Sequence, residues 1–483
     1  MSGLQVNCVL IGHDYSHEVQ VIAQVFFENP RFVFCKEIPA EGVAVAGCLQ
    51  DEICIGELYQ DGKKISSCTL KVQEEGLKRT LMLVIFYALK EATGKPTPWG
   101  ALTGVRPAKQ VRLWLDEGLS ETKIHSRLSK IYKLRDDKIE LALTVAKAEQ
   151  RLISKIKLNS LYIAVPFCPS RCLYCSFVAA QKAKPDAHKR YLAALAEECK
   201  TLAENSDSLK NVRTIYVGGG TPTTFSANEL ERLLEIAAPF SRGSAKQKRI
   251  ENDVPTEHPA EQPVEYTVEA GRPDSITADK LQILKNFGVN RIAINPQTLN
   301  NDTLNRIGRA HTAADFYKAY EMAQRAGFTN INVDVIAGLP GETPEDMRRT
   351  MENIKKLAPA HITVHTLAVK RASRLIEHRE DYKEAKFEHI DDMLDIAREI
   401  CENLGQKPYY MYRQKNMAGL FENVGYSLYG YECLYNVAMM AEVQTVIGVG
   451  AGAVTKIVEG DLIKREFNPK DVELYIQRQI KNG

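Results

Sequence analysis

Hydrophobic positions change their period along the chain, and each change predicts a different kind of region. Up to about residue 75, short apolar runs alternate with polar turns, at 6–11, 32–35 and 43–47. Runs of that length predict the strands of a small sheet. Over residues 77–92 apolar positions crowd one long helix, and Gly94 supplies its stop signal. Residues 96–107, PTPWGALTGVRP, then form a loop punctuated by Gly and Pro. A linker that packs Trp99 is preferred there over a lid that presents Arg106 to an anionic substrate. Residues 108–156 are charged and helical, which completes an N-terminal α+β region over 1–156 with no visible chemistry of its own.

From residue 161 strands and helices alternate regularly, the signature of a parallel sheet with crossover helices. Strands are expected at 161–165, 214–217, 265–269, 291–295, 330–336 and 361–367. Local signals frame the helices between them. Ser226 and Glu229 form a capping-box pattern, Thr277 and Thr312 are N-caps, and Thr343 precedes Pro344 at a first helical position. Glycines 288 and 327 are stops. Residues 241–264 lack periodicity and are rich in charge and proline, which suggests a mobile surface insertion. Six such units predict an α/β fold with a partial (β/α)6 barrel over 157–385. A long helix over 384–404 leads into an appended C-terminal domain, 386–483, rich in Tyr and Gly.

Composition narrows the class. The chain has 483 residues, 44% hydrophobic and 26% charged, as in an ordinary soluble globular protein. Its net charge of +2 gives no electrostatic case for nucleic acid. The most apolar run, 81–89, is too short to span a bilayer. The N-terminus shows no basic segment followed by a cleavable apolar one, so a cytoplasmic location is expected. An odd count of eleven cysteines argues against a secreted disulfide framework. Cys8, Cys35, Cys48, Cys54, Cys68, Cys199, Cys401 and Cys433 lack ligand-like spacing and read as reduced, packed thiols.

Cys168, Cys172 and Cys175 are different. Their C-x3-C-x2-C spacing fits neither paired zinc hooks nor the four-Cys runs of ferredoxins. Three thiolates on one loop can hold three irons of a cubane and leave the fourth open, although zinc with a distant fourth ligand is an alternative. The Cys loop, the glycines 218–220, Glu269, Gln297 and the 334–338 segment all fall at or near strand C-termini, where parallel β/α architectures place their sites. Glycines there let a backbone approach a ligand closely. Asp334 interrupts an apolar strand, shares a face with Asn332, and must be compensated by a partner or a ligand. His361 and His365 share a strand face and are left unassigned. Gly448, Gly450 and Gly452 do not make a dinucleotide-binding fingerprint and are expected to let a backbone segment approach the barrel mouth or a bulky flat ligand.

In order, the segments LYIAVPFCPSRCLYCSF, VGGGTPT, YTVEA, NPQTLN, RIGRAHT, VDVIAGLPGETPED and IGVGAGA resemble the radical S-adenosylmethionine (SAM) proteins of the oxygen-independent coproporphyrinogen III oxidase family, often called HemN-like. PWGALTGVRP, VKRASRL and YYMYRQKNMAG are most similar to its coproporphyrinogen dehydrogenase branch, HemZ. The resemblance implies a [4Fe-4S] cluster and S-adenosyl-L-methionine, whose reductive cleavage gives a 5′-deoxyadenosyl radical. It further implies hydrogen abstraction from the β-carbon of a substrate propionate, with loss of CO2 and an electron to leave a vinyl group. Carried over by position, Cys168, Cys172 and Cys175 are cluster ligands flanked by Phe167 and Tyr174, and Gly219, Gly220 and Thr221 meet the methionine moiety. Glu269, Gln297, Arg309 and Asp334 contact SAM, and Tyr162 is a catalytic aromatic on the substrate side. Arg272, Arg371, Arg374 and Arg413 are candidates, from charge and position, for the propionates. The implied partners are a tetrapyrrole and reduced flavodoxin or ferredoxin as electron donor, with the chain acting as a monomer.

The sequence departs from the family pattern at two positions. Ala164 stands where His is usual, and Phe177 stands where a fourth Cys follows in the oxidases. Neither position is among the expected cluster and SAM ligands, so both departures bear on substrate turnover rather than on binding of those groups. A Cys-x-Phe ending also occurs in a related branch of haem chaperones, which is one alternative function. The segment 431–436, YECLYN, carries no His to support it. A radical SAM methyltransferase or haem-opening enzyme on the same scaffold is the other.

Overall fold

Alternating apolar strands need helices to cover them, and the chain supplies these in two separate units. The computed structural model describes residues 4–27, 30–154, 159–175, 186–205, 212–241, 265–368, 375, 387–414, 421–460 and 462–482. The expected surface insertion beyond residue 241, and Phe177, Arg371 and Arg374, lie outside these. The two compact units are Met1–Ala146 with Tyr412–Phe421, and Lys147–Met411 with Glu422–Gly483. No helix among the described residues is long and apolar enough to cross a membrane. All eleven cysteines are free thiols.

In the first unit, β1 (Gln5–Ile11), α1 (Ser16–Phe26), β2 (Arg31–Cys35), β3 (Val43–Gln50), β4 (Ile53–Gln60), β5 (Lys63–Lys71) and α2 (Leu77–Thr93) build a sheet of order β2-β1-β3-β4-β5. Val6, Cys8, Val45 and Cys54 pack against Val19, Ile22, Phe26, Leu81, Ile85 and Phe86 of the two helices. Helix α1 is absent from the sequence expectation, although Val19, Ile22, Ala23 and Phe26 have helical spacing. Helix α2 ends at Gly94, whose φ of 61° is the left-handed cap expected there. Trp99 is buried. The Arg413 guanidinium lies 5.5 Å from its ring centre, and Arg413 Nη1 donates to the Leu102 carbonyl at 2.7 Å. The 96–107 loop thus packs its tryptophan, and Arg413 is a structural cation of this unit. Helices α3 (Pro107–Asp116), α4 (Glu121–Lys130) and α5 (Asp136–Ile153) follow.

The second unit begins at β6 (Asn159–Val165) and alternates through α6 (Ala187–Asn205), β7 (Val212–Gly219), α7 (Ala227–Ser241), β8 (Glu265–Gly271), α8 (Ala278–Asn286) and β9 (Arg291–Ile294). It continues with α9 (Asn301–Arg306), α10 (Ala313–Arg325), β10 (Ile331–Ala337), α11 (Pro344–Lys355), β11 (His361–Thr366) and α12 (Phe387–Asn403). Strands β6 to β11 lie side by side in that order, all parallel. The caps fall where local chemistry put them: Thr312 and Thr343 form capping boxes with Asp315 and Asp346, and Thr277 accepts from Lys280 N. The short helix α9 went unanticipated.

Residues beyond 386 do not stand apart from the barrel. β12 (Lys407–Tyr412) and β13 (Asn423–Ser427) join the sheet beyond β11, with β13 antiparallel to it. After α13 (Leu434–Ala441), β14 (Val446–Val449) pairs parallel with β6. The hairpin β15 (Val454–Glu459) and β16 (Leu462–Phe467) extends that edge, and α14 (Val472–Asn482) ends the chain. The sequence boundary at 386 therefore falls inside one 11-stranded sheet. An open barrel leaves two edges of unpaired backbone groups, and these strands cover both.

Candidate functional site

Among the mostly buried positions of the inner strands, a few side chains stay half-exposed: Tyr162 on β6, Tyr216 on β7, Glu269 on β8, Asp334 on β10 and His365 on β11. Alternation sets them on the lumen face. The loop after β6 carries the three cysteines, and it is fastened to the loop after β7 by main-chain bonds. Gly220 N donates to Val165 O, and Thr221 N to Phe167 O, both at 2.7 Å. A Cβ at Gly220 would lie 2.3 Å from Phe167 O, so only glycine permits this approach. Phe167 is fully buried among His188, Tyr191 and Phe225 and anchors the loop from behind.

Around the sulfurs, Cys168 Sγ lies 3.6 Å from Thr221 Oγ1. Burial, with the other two thiols adding, pushes the Cys168 thiol up to about 11 against the opposing pull of Thr221 and Arg272. Cys172 Sγ accepts from Arg272 Nη1 at 3.6 Å and Arg309 Nη1 at 3.9 Å. Cys175 N donates to Cys172 O at 3.2 Å. Arg309 Nη1 also donates to Tyr174 Oη at 3.2 Å, and Nη2 donates to the Gly271 and Asn295 carbonyls. Burial raises the Tyr174 hydroxyl well above its ordinary range.

Deeper in the lumen Glu269 accepts from Tyr216 Oη at 2.6 Å and from Gly219 N at 3.2 Å. Burial pushes its carboxyl up to about 7, with Asp334 adding, while Tyr216, Gly219 and His365 oppose. For Asp334 burial also acts upward, but His365, Asn332 and Thr363 outweigh it and hold the carboxyl below its usual range. Asn332 Nδ2 donates to Asp334 Oδ1 at 2.6 Å, and His365 Nε2 is 3.6 Å from Oδ2. Gln297 adopts a φ of 70° and bridges to β10 by Gln297 N to Asp334 O and Ile336 N to Gln297 O, both 3.0 Å. Tyr162 stacks with Tyr216 and Tyr435, centres 6.2 and 6.1 Å apart, and burial raises its hydroxyl.

The fold therefore brings the expected residues together as linked sets: the Cys loop with Gly220, Thr221, Tyr174 and Arg309, then Glu269 with Gly219, Tyr162 and Tyr216, then Asp334 with Gln297. His365, unassigned from sequence, belongs to the last set, and its strand-face parity with His361 was the available signal. Arg272 does not present itself to a propionate. Its Nε and Nη2 are held by Asp274 at 2.9 and 3.0 Å and its Nη1 faces Ser170 and Cys172.

Among the described residues no three metal-ligating side chains close around a single ion. A cubane places its cysteines on separate irons, so a wider set on one loop is what that group requires. Gln297 Oε1, Asn295 Oδ1 and Arg309 Nε are buried with no hydrogen-bond partner among the described residues. Buried polar atoms of this kind are costly unless a ligand satisfies them. The donor set and the glycine cradle fit a [4Fe-4S] cluster with SAM beside it.

Residues 162–354 match the model of the radical SAM superfamily. The oxygen-independent coproporphyrinogen-III oxidase-like protein HemZ of Bacillus subtilis is 36% identical over 98% of this chain and 95% of its own length. This chain belongs to that family. Family members of this superfamily use a [4Fe-4S] cluster and S-adenosylmethionine, and these are the cofactors of the chain. The heme chaperone HemW of Lactococcus lactis is 31% identical over 62% of the chain and 69% of that protein. In fold, the coproporphyrinogen III oxidase HemN of Escherichia coli superposes with a TM-score of 0.51 at 21% identity, over 67% of this chain and 69% of that one.

Proposed function

We propose that the chain is a radical SAM enzyme that converts propionates of coproporphyrinogen III to vinyl groups, giving protoporphyrinogen IX. The observation that carries this reading is the Cys loop zipped to the Gly219–Thr221 backbone at the mouth of a barrel whose lumen continues into Glu269, Asp334 and Tyr162. Near-complete coverage by the HemZ relative supports it. Cys168, Cys172 and Cys175 would hold the cluster, and SAM bound beside it supplies a primary carbon radical on one-electron reduction. The chain's own residues do the rest. The Gly219–Thr221 segment, its amides already committed to Glu269, Val165 and Phe167, receives the amino-acid end of SAM along its carbonyl side, and Arg309 offers the SAM carboxylate a fixed cation. Asp334, charged and braced by Asn332, suits ribose hydroxyls, and Gln297 offers an unpaired amide oxygen. Glu269, poised to carry a proton near neutrality, and the Tyr162–Tyr216–Tyr435 stack form the floor of the lumen.

Reduced flavodoxin or ferredoxin is proposed as donor, and the chain as a monomer. The test is anaerobic incubation of the reconstituted chain with coproporphyrinogen III, SAM and a reductant, with products resolved by mass. Vinyl products with loss of CO2 are expected. 5′-Deoxyadenosine without a vinyl product overturns the substrate assignment. Similarity to HemW favours one second reading, a haem carrier. Stoichiometric haem uptake without turnover would establish that instead.

A further inference from the structure

Arg272 is the buried cation that the proposed function leaves unused. It is 3% exposed, and every nitrogen of its guanidinium is committed. Nε and Nη2 donate to the two carboxylate oxygens of Asp274 at 2.9 and 3.0 Å, while Nη1 donates to Ser170 Oγ at 3.0 Å and to Cys172 Sγ at 3.6 Å. Its main chain is equally fixed: Arg272 N donates to Ala270 O at 2.6 Å, and Ser275 Oγ to Arg272 O at 2.8 Å. Ser275 Oγ in turn lies 2.7 Å from Thr223 Oγ1, which also donates to Ala270 O at 2.8 Å. The guanidinium therefore cannot swing toward a substrate. Its carboxylate partner sits on the far side, so the pair is a dipole whose positive end points at one cysteine sulfur.

We propose that Arg272 sets the reduction potential of the cluster held at Cys172, with Asp274 as the residue that positions it. This rests on the reading of Cys168, Cys172 and Cys175 as cluster ligands. Hydrogen bonds to ligand sulfurs and local charge are the protein's means of moving an iron–sulfur potential. The reduced cluster carries one more negative charge than the oxidised one, and a fixed N–H dipole on the sulfur favours that form. In a buried setting the effect is weakly screened. One electron enters from a low-potential one-electron donor, and no bond is made or broken at Arg272. Arg309 also reaches Cys172 Sγ, at 3.9 Å, but that Nη1 is shared with Tyr174 Oη and its Nη2 is spent on carbonyls. Arg272 is the closer and the better braced of the two, and it is a positioning residue rather than a catalytic one.

The test uses the full chain with its cluster reconstituted anaerobically, titrated with sodium dithionite against mediator dyes and followed by the EPR signal of the reduced cluster. Wild type must first show four irons and the reducible signal; if it does not, the cluster reading itself fails. In Arg272→Gln/Asp274→Asn, which removes the pair without leaving an unpaired carboxylate beside the loop, the reduction equilibrium is expected to shift about tenfold toward the oxidised form, about 59 mV for one electron. An unchanged midpoint at full iron content overturns the proposal and leaves Arg272 as a loop brace. Should that variant load less iron than wild type, Arg272→Lys decides the matter. It keeps Asp274 paired but loses the fork that reaches sulfur, and its midpoint is expected to fall by about threefold in the equilibrium. A midpoint equal to wild type there overturns the proposal equally.

Discussion

The two ends of the barrel bury nearly the same residue types and use them in opposite ways. At the N-terminal end, Glu265 opens β8 and gives both carboxylate oxygens to the start of α13. It accepts from Leu434 N at 2.6 Å, Tyr435 N at 3.0 Å and Cys433 Sγ at 3.4 Å. Burial pushes the Cys433 thiol up to about 12, so it is inert. Four residues along the same strand, Glu269 faces the lumen with Asp334 and His365 and is poised near neutrality. There Cys172 receives two guanidinium donors rather than a carboxylate. At the first end Glu265 is spent wholly as a helix cap, although Arg291 Nη1 and the His361 ring nitrogens nearby lack hydrogen-bond partners among the described residues. At the other, Gln297 Oε1, Asn295 Oδ1 and Arg309 Nε are buried without such partners beside the Cys loop. Composition alone does not separate the two ends; the direction in which each polar group is spent does.

The sharpest way to break that contrast is to remove one cysteine at each end. Cys172→Ala is expected to abolish cluster loading, read as iron and sulfide content and visible absorbance. Cys433→Ala should load a full cluster and lose only about 1 kcal/mol in denaturant unfolding. Next in size is Gly220→Ala. Its new Cβ would press on the Phe167 carbonyl, and overpacking against backbone should cost about 1–3 kcal/mol and reduce loading severalfold.

Glu269→Gln tests the poised carboxylate. Its folded value, about 7, is raised from an ordinary 4.5, so the folded state holds a proton that the unfolded state gives up. Its stabilising contribution is full below about 4.5 and is lost as pH rises through about 7. The variant should remove about 2–3 kcal/mol of that pH dependence, seen by comparing unfolding at pH 5 and pH 8. SAM affinity measured by equilibrium dialysis should fall about tenfold, about 1.4 kcal/mol. The smallest effect belongs to Glu265→Gln, which weakens the α13 cap by about 1 kcal/mol and leaves SAM binding unchanged.

Much of the barrel was legible because its signals are local. Thr312 with Asp315, Thr343 before Pro344, and Gly94 each act within a turn of chain, and each behaves in the fold as its neighbours dictate. The Cys loop and the glycine triplet were legible as motifs, and their contact follows from adjacent parallel strands. What escaped depends on distant partners. The glycines at 448–452 read as allowing a close backbone approach, but not which partner they meet: a Cβ at Gly450 would lie 2.7 Å from the Ala164 carbonyl, where the turn meets β6. Nor does the Tyr-rich C-terminal stretch announce that Tyr435 stacks on Tyr216 at 4.4 Å beneath the lumen. Arg272 looked like a turn cation available to a substrate, because its pairing with Asp274 and Cys172 is set by the turn geometry and not by composition.

The most direct measurement is 5′-deoxyadenosine formation from SAM under dithionite, in anaerobically reconstituted wild type, Cys172→Ala and Cys433→Ala. The mouth of the barrel as the reactive end predicts product from wild type and Cys433→Ala and none from Cys172→Ala. Equal yield from wild type and Cys172→Ala, or no yield from a fully loaded wild-type chain, would contradict it.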